Sequence, residues 1–124
     1  MSLPAEFGDH VDARHREAAS DLLRALAAPT RIAIVLELRE QARCVHELVG
    51  ALGLSQPLVS QHLRVLKDAG VVRGQRSGRE IMYELIDDHL AHIVVDAIEH
   101  SMEPRDTDPE PPTRLPRTAR EARR

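Results

Sequence analysis

The chain has 124 residues, of which 42% are hydrophobic and 2% aromatic, and a formal net charge of −3. This is enough for one small domain, whose core must be built from Leu, Val, Ile and Ala; with only Phe7 and Tyr83 as rings, stacking on single-stranded nucleic acid is disfavoured. The single cysteine, Cys44, excludes an intrachain disulfide and fits a reducing cytoplasm, no apolar run approaches the ~18 residues of a membrane-spanning helix, and Met1–Glu6 lacks the basic and apolar regions of a signal peptide.

Residues 1–11 read as a flexible arm. Apolar periodicity then runs through Val11, Ala18, Ala19, Leu22, Leu23, Leu26 and Ala27, which predicts a first helix. Pro29 opens a second helix carrying Ile32, Ile34, Val35, Leu36 and Leu38. Its all-round apolar character predicts that it is the most buried one. A short helix over 45–52 and another over 56–68 follow. Two β-prone runs within 71–85 flank the turn around Ser77-Gly78, predicting a hairpin. A last helix starts at Asp87 or Asp88 and ends near Glu103, before Pro104. Residues 12–103 are thus the predicted domain. The stretch 104–124, with Pro109, Pro111, Pro112 and Pro116 among mixed charges, reads as a disordered tail.

Residues 45–67 carry the first functional signal. Gly53 falls where a left-handed residue ends the short helix. Ser55 is placed to cap the next one, with Pro57 in its first turn. Val59, Leu63 and Leu66 form a core stripe. Gln56, Ser60, Arg64 and Lys67 repeat on the opposite face, with Gln61 beside them. Such a polar face suits base edges and phosphates in a major groove. From Ser55 to Arg79, five cations (Arg64, Lys67, Arg73, Arg76, Arg79) face one carboxylate, Asp68, despite the acidic overall balance. Arg76 and Arg79 at the hairpin tip are placed to lie along phosphates or in a minor groove. Taken one at a time, the helix reads as an ordinary amphipathic one and the arginines as a solvated loop. Together, a short helix, a tight turn, a capped helix and a basic hairpin describe a helix-turn-helix with a wing. The candidate contacts to double-stranded DNA are Gln56, Ser60, Gln61, His62, Arg64, Arg76 and Arg79.

Three segments carry a resemblance: Ala25-Leu26-Ala27-Ala28-Pro29-Thr30-Arg31, Leu54-Ser55-Gln56-Pro57-Leu58-Val59-Ser60-Gln61-His62-Leu63, and Leu66-Lys67-Asp68-Ala69-Gly70-Val71-Val72. Over roughly 18–103 the chain resembles the ArsR/SmtB metal-sensing repressors, and is most similar to the zinc-responsive SmtB-like branch of actinobacteria. The resemblance implies a mainly α winged helix-turn-helix of order α-α-α-α-β-β-α with a two-stranded wing. It also implies a homodimer through the first and last helices and repression of an inverted-repeat operator in the metal-free state.

The last helix concentrates His89, His92 and His100 among five carboxylates. His89 and His100 share a face but lie roughly 16 Å apart along the axis, too far for one ion. Two antiparallel copies would bring Asp87 and His89 of one helix to His100 and Glu103 of the other, giving two sites per dimer. Two nitrogens and two oxygens suit tetrahedral Zn²⁺. Asp87 must then be a non-helical cap residue, because a helical residue two positions before His89 points about 200° away. A solvated polar stripe is the other reading of these residues. The resemblance implies the metal role, matching Asp-x-His and His-x-x-Glu at Asp87, His89, His100 and Glu103. Ni²⁺ or Co²⁺, or a non-metal signal to the same repressor, is the alternative; His92 reads as a solvated side chain, with a substitute ligand or a fifth donor for Ni²⁺ or Co²⁺ as its other readings. A weaker second candidate site joins Cys44 and Glu47 to His10 or His15 of another subunit's arm. Position 46 is His where arsenic-type sensors need a second Cys, so thiolate sensing is disfavoured. No phosphate loop, thiol–imidazole pair or triad spacing is present, and no enzyme is predicted.

Overall fold

The helix starts are set by side-chain caps or, for one of them, by a proline. In the computed structural model, which describes residues 11–104, α1 spans Ala13–Leu26 behind Asp12, whose carboxylate accepts from the His15 backbone N–H at 3.1 Å. That bond holds the Asp12 carboxyl below its ordinary pKa. Pro29 occupies the first turn of α2 (Pro29–Glu40). The Cys44 backbone N–H donates to the Glu47 carboxylate at 3.0 Å ahead of α3 (Val45–Leu52), and Gly53 ends that helix at φ 69°. Ser55 Oγ accepts from the Leu58 N–H at 3.3 Å to start α4 (Gln56–Asp68).

The end of α4 is closed by a device that periodicity does not reveal. Gly70 sits at φ 80°. Its N–H donates to Lys67 O at 3.0 Å, and the Val71 N–H donates to Leu66 O at 2.8 Å. This is the paired bond pattern of a Schellman motif, with Val71 and Leu66 both fully buried beside it. The chain then enters β2 (Val72–Ser77), turns at Gly78-Arg79 with Gly78 at φ 66°, and returns as β3 (Glu80–Leu85). Arg73 on β2 pairs with Glu84 on β3 at 2.7 Å.

The sheet has three strands, not the two of the expected wing. Arg43 and Cys44 form β1, pairing antiparallel with Tyr83 and Met82, so the order is β1-β3-β2. A two-residue strand has no periodicity of its own and exists only through its partner. The five helices and the basic hairpin otherwise follow the expected order, ending in α5 (Asp88–Met102).

The core gathers Ile34, Val35 and Leu38 of α2, Leu48 of α3, Val59, Leu63 and Leu66 of α4, Val71 and Val72, and Leu90 and Val94 of α5. α2 packs against α1, α3, α4, α5 and β3, which makes it the central helix. Leu26 requires a correction. A homodimer through the first and last helices leads one to expect it, with Leu22, Ile93 and Ile98, to be apolar surface beyond what one small core needs. It is instead 4% exposed and part of that core. The large apolar residues left outside on α1 and α5 are Leu23, 51% exposed, and Ile93, 37% exposed, with Met102 at the end of α5. No helix among the described residues is long and apolar enough to cross a membrane. The expected arm, 1–11, and tail, 104–124, lie outside the described residues except for Val11 and Pro104.

Candidate nucleic-acid interface and metal half-sites

α4 has one face in the core and two flanks outside it. Gln56, Ser60, Gln61, Arg64 and Lys67 are all exposed on one side. Arg76 and Arg79 are exposed at the far end of the hairpin. These side chains together form a polar, cationic surface running from the helix to the wing.

His62 does not belong to that surface. At ~100° per residue it lies about 160° around the helix from Arg64. It is half-buried, and its Nδ1 accepts from Arg31 Nε at 3.2 Å. The acceptor role places the ring proton on Nε2. Arg31 also donates through Nη1 to the Ala25 carbonyl at 3.1 Å. His62 is therefore an anchor of α4 onto the corner between α1 and α2, and it lies apart from the exposed side chains with which it was grouped as a candidate DNA contact. Arg31→Ala removes both bonds and leaves two half-buried acceptors without a donor. It is expected to cost ~1–3 kcal/mol of folding stability. A urea midpoint that falls with an unchanged m-value is the measurement; a wild-type midpoint would show that the anchor contributes nothing.

The two ends of α5 each hold a pair of metal-competent donors. Asp87 has extended backbone at φ −155° and caps the helix, its Oδ1 accepting from the His89 N–H at 3.0 Å. The same oxygen lies 3.6 Å from His89 Nδ1. At the other end, His100 Nδ1 lies 3.8 Å from Glu103 Oε1, and Glu103 has already left helical geometry. Donors held tetrahedrally around zinc at ~2.0–2.1 Å lie about 3.3–3.4 Å apart. Each pair is thus within about half an ångström of that spacing, and the donor set fits the ion. All four side chains are exposed. Among the described residues, no group of three His, Cys, Asp or Glu side chains converges on one point within a subunit. His100 is 85% exposed, with Glu103 beside it. His92 is exposed on α5, outside both pairs.

The Cys44 region is built differently. Cys44 is buried, at 4% exposure, in β1. Glu47 spends one oxygen on the cap of α3. His15 is exposed on α1 and sits 3.2 Å from Asp12. Cys44, Glu47 and His15 do not meet within the subunit, and His10 lies outside the described residues.

One further residue beside the polar, cationic surface, Tyr83, carries no signal of such a place in the sequence. It lines a groove beside α4. Its alternation within β3 marks it only as a sheet residue.

Comparison with known proteins agrees with this geometry. The family model of the bacterial regulatory proteins of the arsR family matches residues 28–73, from the start of α2 into β2. The HTH-type transcriptional repressor SmtB of Mycobacterium tuberculosis is 70% identical over 87 residues, 70% of this chain. The match spans 64% of that repressor's own length. The HTH-type transcriptional regulator NmtR of the same organism is 41% identical over 105 residues, covering 77% of this chain and 88% of that one. Among solved structures, the homodimeric winged helix-turn-helix DNA-binding domain Mb0332 of Mycobacterium bovis superposes with a TM-score of 0.69. It covers 90% of this chain and all of that fragment at 20% identity, a likeness of fold. The fold is thus a winged helix-turn-helix, and the chain belongs to the arsR family of bacterial regulatory proteins.

Proposed function

We propose that the protein is a homodimeric transcriptional repressor that binds an inverted-repeat operator when metal-free and is released by zinc. The observation that carries the metal reading is the placement of two donor pairs, Asp87 with His89 and His100 with Glu103, at opposite ends of one helix. Half-sites so placed are completed by an antiparallel second copy. Ile93 supports that copy: it lies within ~40° of both His89 and His100 around α5, and it is exposed. Burying Ile93 and Leu23 across a two-fold axis removes apolar surface from water. The same packing brings Asp87 and His89 toward the partner's His100 and the partner's Glu103.

Within this reading, Gln56, Ser60, Gln61 and Arg64 meet base edges and phosphates, and Arg76 and Arg79 hold the backbone beside them. A symmetric dimer presents two α4 helices to successive major grooves. When bound, zinc supplies a closed four-ligand cross-link between subunits, with no open position for hydrolysis. Asp87 and His89 hold one side of that link and thereby fix α5 against its mate. α5 packs on α2, and α2 on α4, so this contact chain ties the spacing of the recognition helices to the ligands.

The test is a fluorescence-anisotropy titration of the metal-free protein on an inverted-repeat duplex selected from a random pool, repeated with Zn²⁺. Tight binding without metal is expected, with a loss of about 5- to 150-fold when zinc is added, the range of ordinary coupling energies. Reciprocity requires DNA to weaken zinc binding by the same factor. Equal affinity with and without zinc would remove the metal switch and leave a repressor governed by another signal.

A further inference from the structure

Between α4 and β3 lies an open groove of about 380 Å³, lined by Ser60, Leu63, Arg64, Lys67, Asp68 and Tyr83. One wall is the exposed side of α4 that carries Ser60, Arg64 and Lys67. The other is Tyr83, whose ring is held by a device in the sheet. Tyr83 stands opposite Gly74 across the hairpin. A Cβ on Gly74 would come within 3.2 Å of the Tyr83 ring and 2.9 Å of the Ile81 side chain. Glycine at this position leaves the space that the ring occupies. Two cations against Asp68 leave the groove positive.

The position of the groove selects its ligand, a step that rests on the DNA-binding reading above. If α4 enters a major groove and the hairpin tip reaches the adjacent minor groove, one sugar–phosphate strand runs between them. That strand has to cross the cleft between α4 and the sheet, where the Tyr83 groove opens. The geometry points to a site for a DNA backbone phosphodiester in this groove, held by the Lys67 ammonium and the Tyr83 hydroxyl with Ser60 beside them. The ammonium supplies charge and the hydroxyl donates a hydrogen bond. Neither reads sequence, so the site sets affinity and register and leaves base preference to the rest of α4.

The test measures binding of the metal-free 124-residue chain to two probes over a range of salt: a mixed-sequence duplex and the selected inverted repeat. Lys67→Gln removes one cation from each of the two subunits and is expected to lower the slope of log affinity against log salt by about 1.8 on both. Tyr83→Phe keeps the ring over Gly74 and removes no charge. It is expected to weaken both duplexes by the same factor, roughly tenfold, with the slope unchanged. Thermal melts establish that each variant is folded. A wild-type slope for Lys67→Gln, wild-type affinity for Tyr83→Phe, or a Tyr83→Phe loss confined to one duplex overturns the phosphate site. Failure of the wild-type chain to bind either probe overturns the DNA reading itself, so the two failures are distinguishable.

Discussion

His100→Gln is expected to bind the operator normally without metal and to stay bound when zinc is added. Glutamine keeps the size and polarity of the side chain but cannot replace an imidazole nitrogen as a zinc ligand. The variant therefore removes one donor of four from each proposed inter-subunit site without touching α4 or the hairpin. His100 is 85% exposed and contributes nothing to the core, so the free fold should be unaffected. The expected loss is the whole of the 5- to 150-fold zinc response, or about 1–3 kcal/mol of coupling. His89→Ala and Asp87→Ala should act alike, although Asp87→Ala also removes the α5 cap and costs ~0.5–2 kcal/mol of stability. Cys44→Ser is the opposing control and should retain the response. Anisotropy titrations of all four variants decide the matter. If Cys44→Ser abolishes release while the α5 variants respond like wild type, the sensing site lies at the start of α3.

Leu66→Ala is expected to produce the largest loss of stability. Leu66 is fully buried in α4, and its carbonyl accepts the Val71 N–H that closes the helix. Removing three carbons there loses transfer free energy and leaves a cavity that neighbours from α2 and β2 fill only in part. The cost is ~2–5 kcal/mol, against a typical total of about 5–15 kcal/mol for a domain. At ~4–8 °C per kcal/mol for a domain of this size, the melting temperature should fall by at least about 8 °C. Arg79→Ala, on the exposed hairpin turn, should stay within about 0.5 kcal/mol of wild type. Calorimetry on both variants checks the ranking. A Leu66→Ala melt indistinguishable from Arg79→Ala would show that α4 is not seated on the core as described.

Sequence alone determined what is local or periodic. Ser55, Pro57 and Gly53 mark the ends of α3 and α4 because caps and left-handed residues act through near-neighbour backbone bonds. Val59, Leu63 and Leu66 mark the core stripe because the helical repeat places them on one face. The extended Asp87 followed from the same arithmetic: a helical Asp87 could not share a side with His89. Tertiary structure decided which neighbour covers each remaining face. A helix repeat says that His62 lies away from Arg64, but only the α1–α2 corner makes His62 an anchored acceptor. Leu26 and Leu23 both read as apolar residues of α1, yet one packs into the core and the other faces out. The strand at Arg43–Cys44 exists through β3, and the Tyr83 groove exists because Gly74 lies across the hairpin. Such contacts join residues distant in the chain, and propensity and periodicity carry no information about which distant surfaces meet.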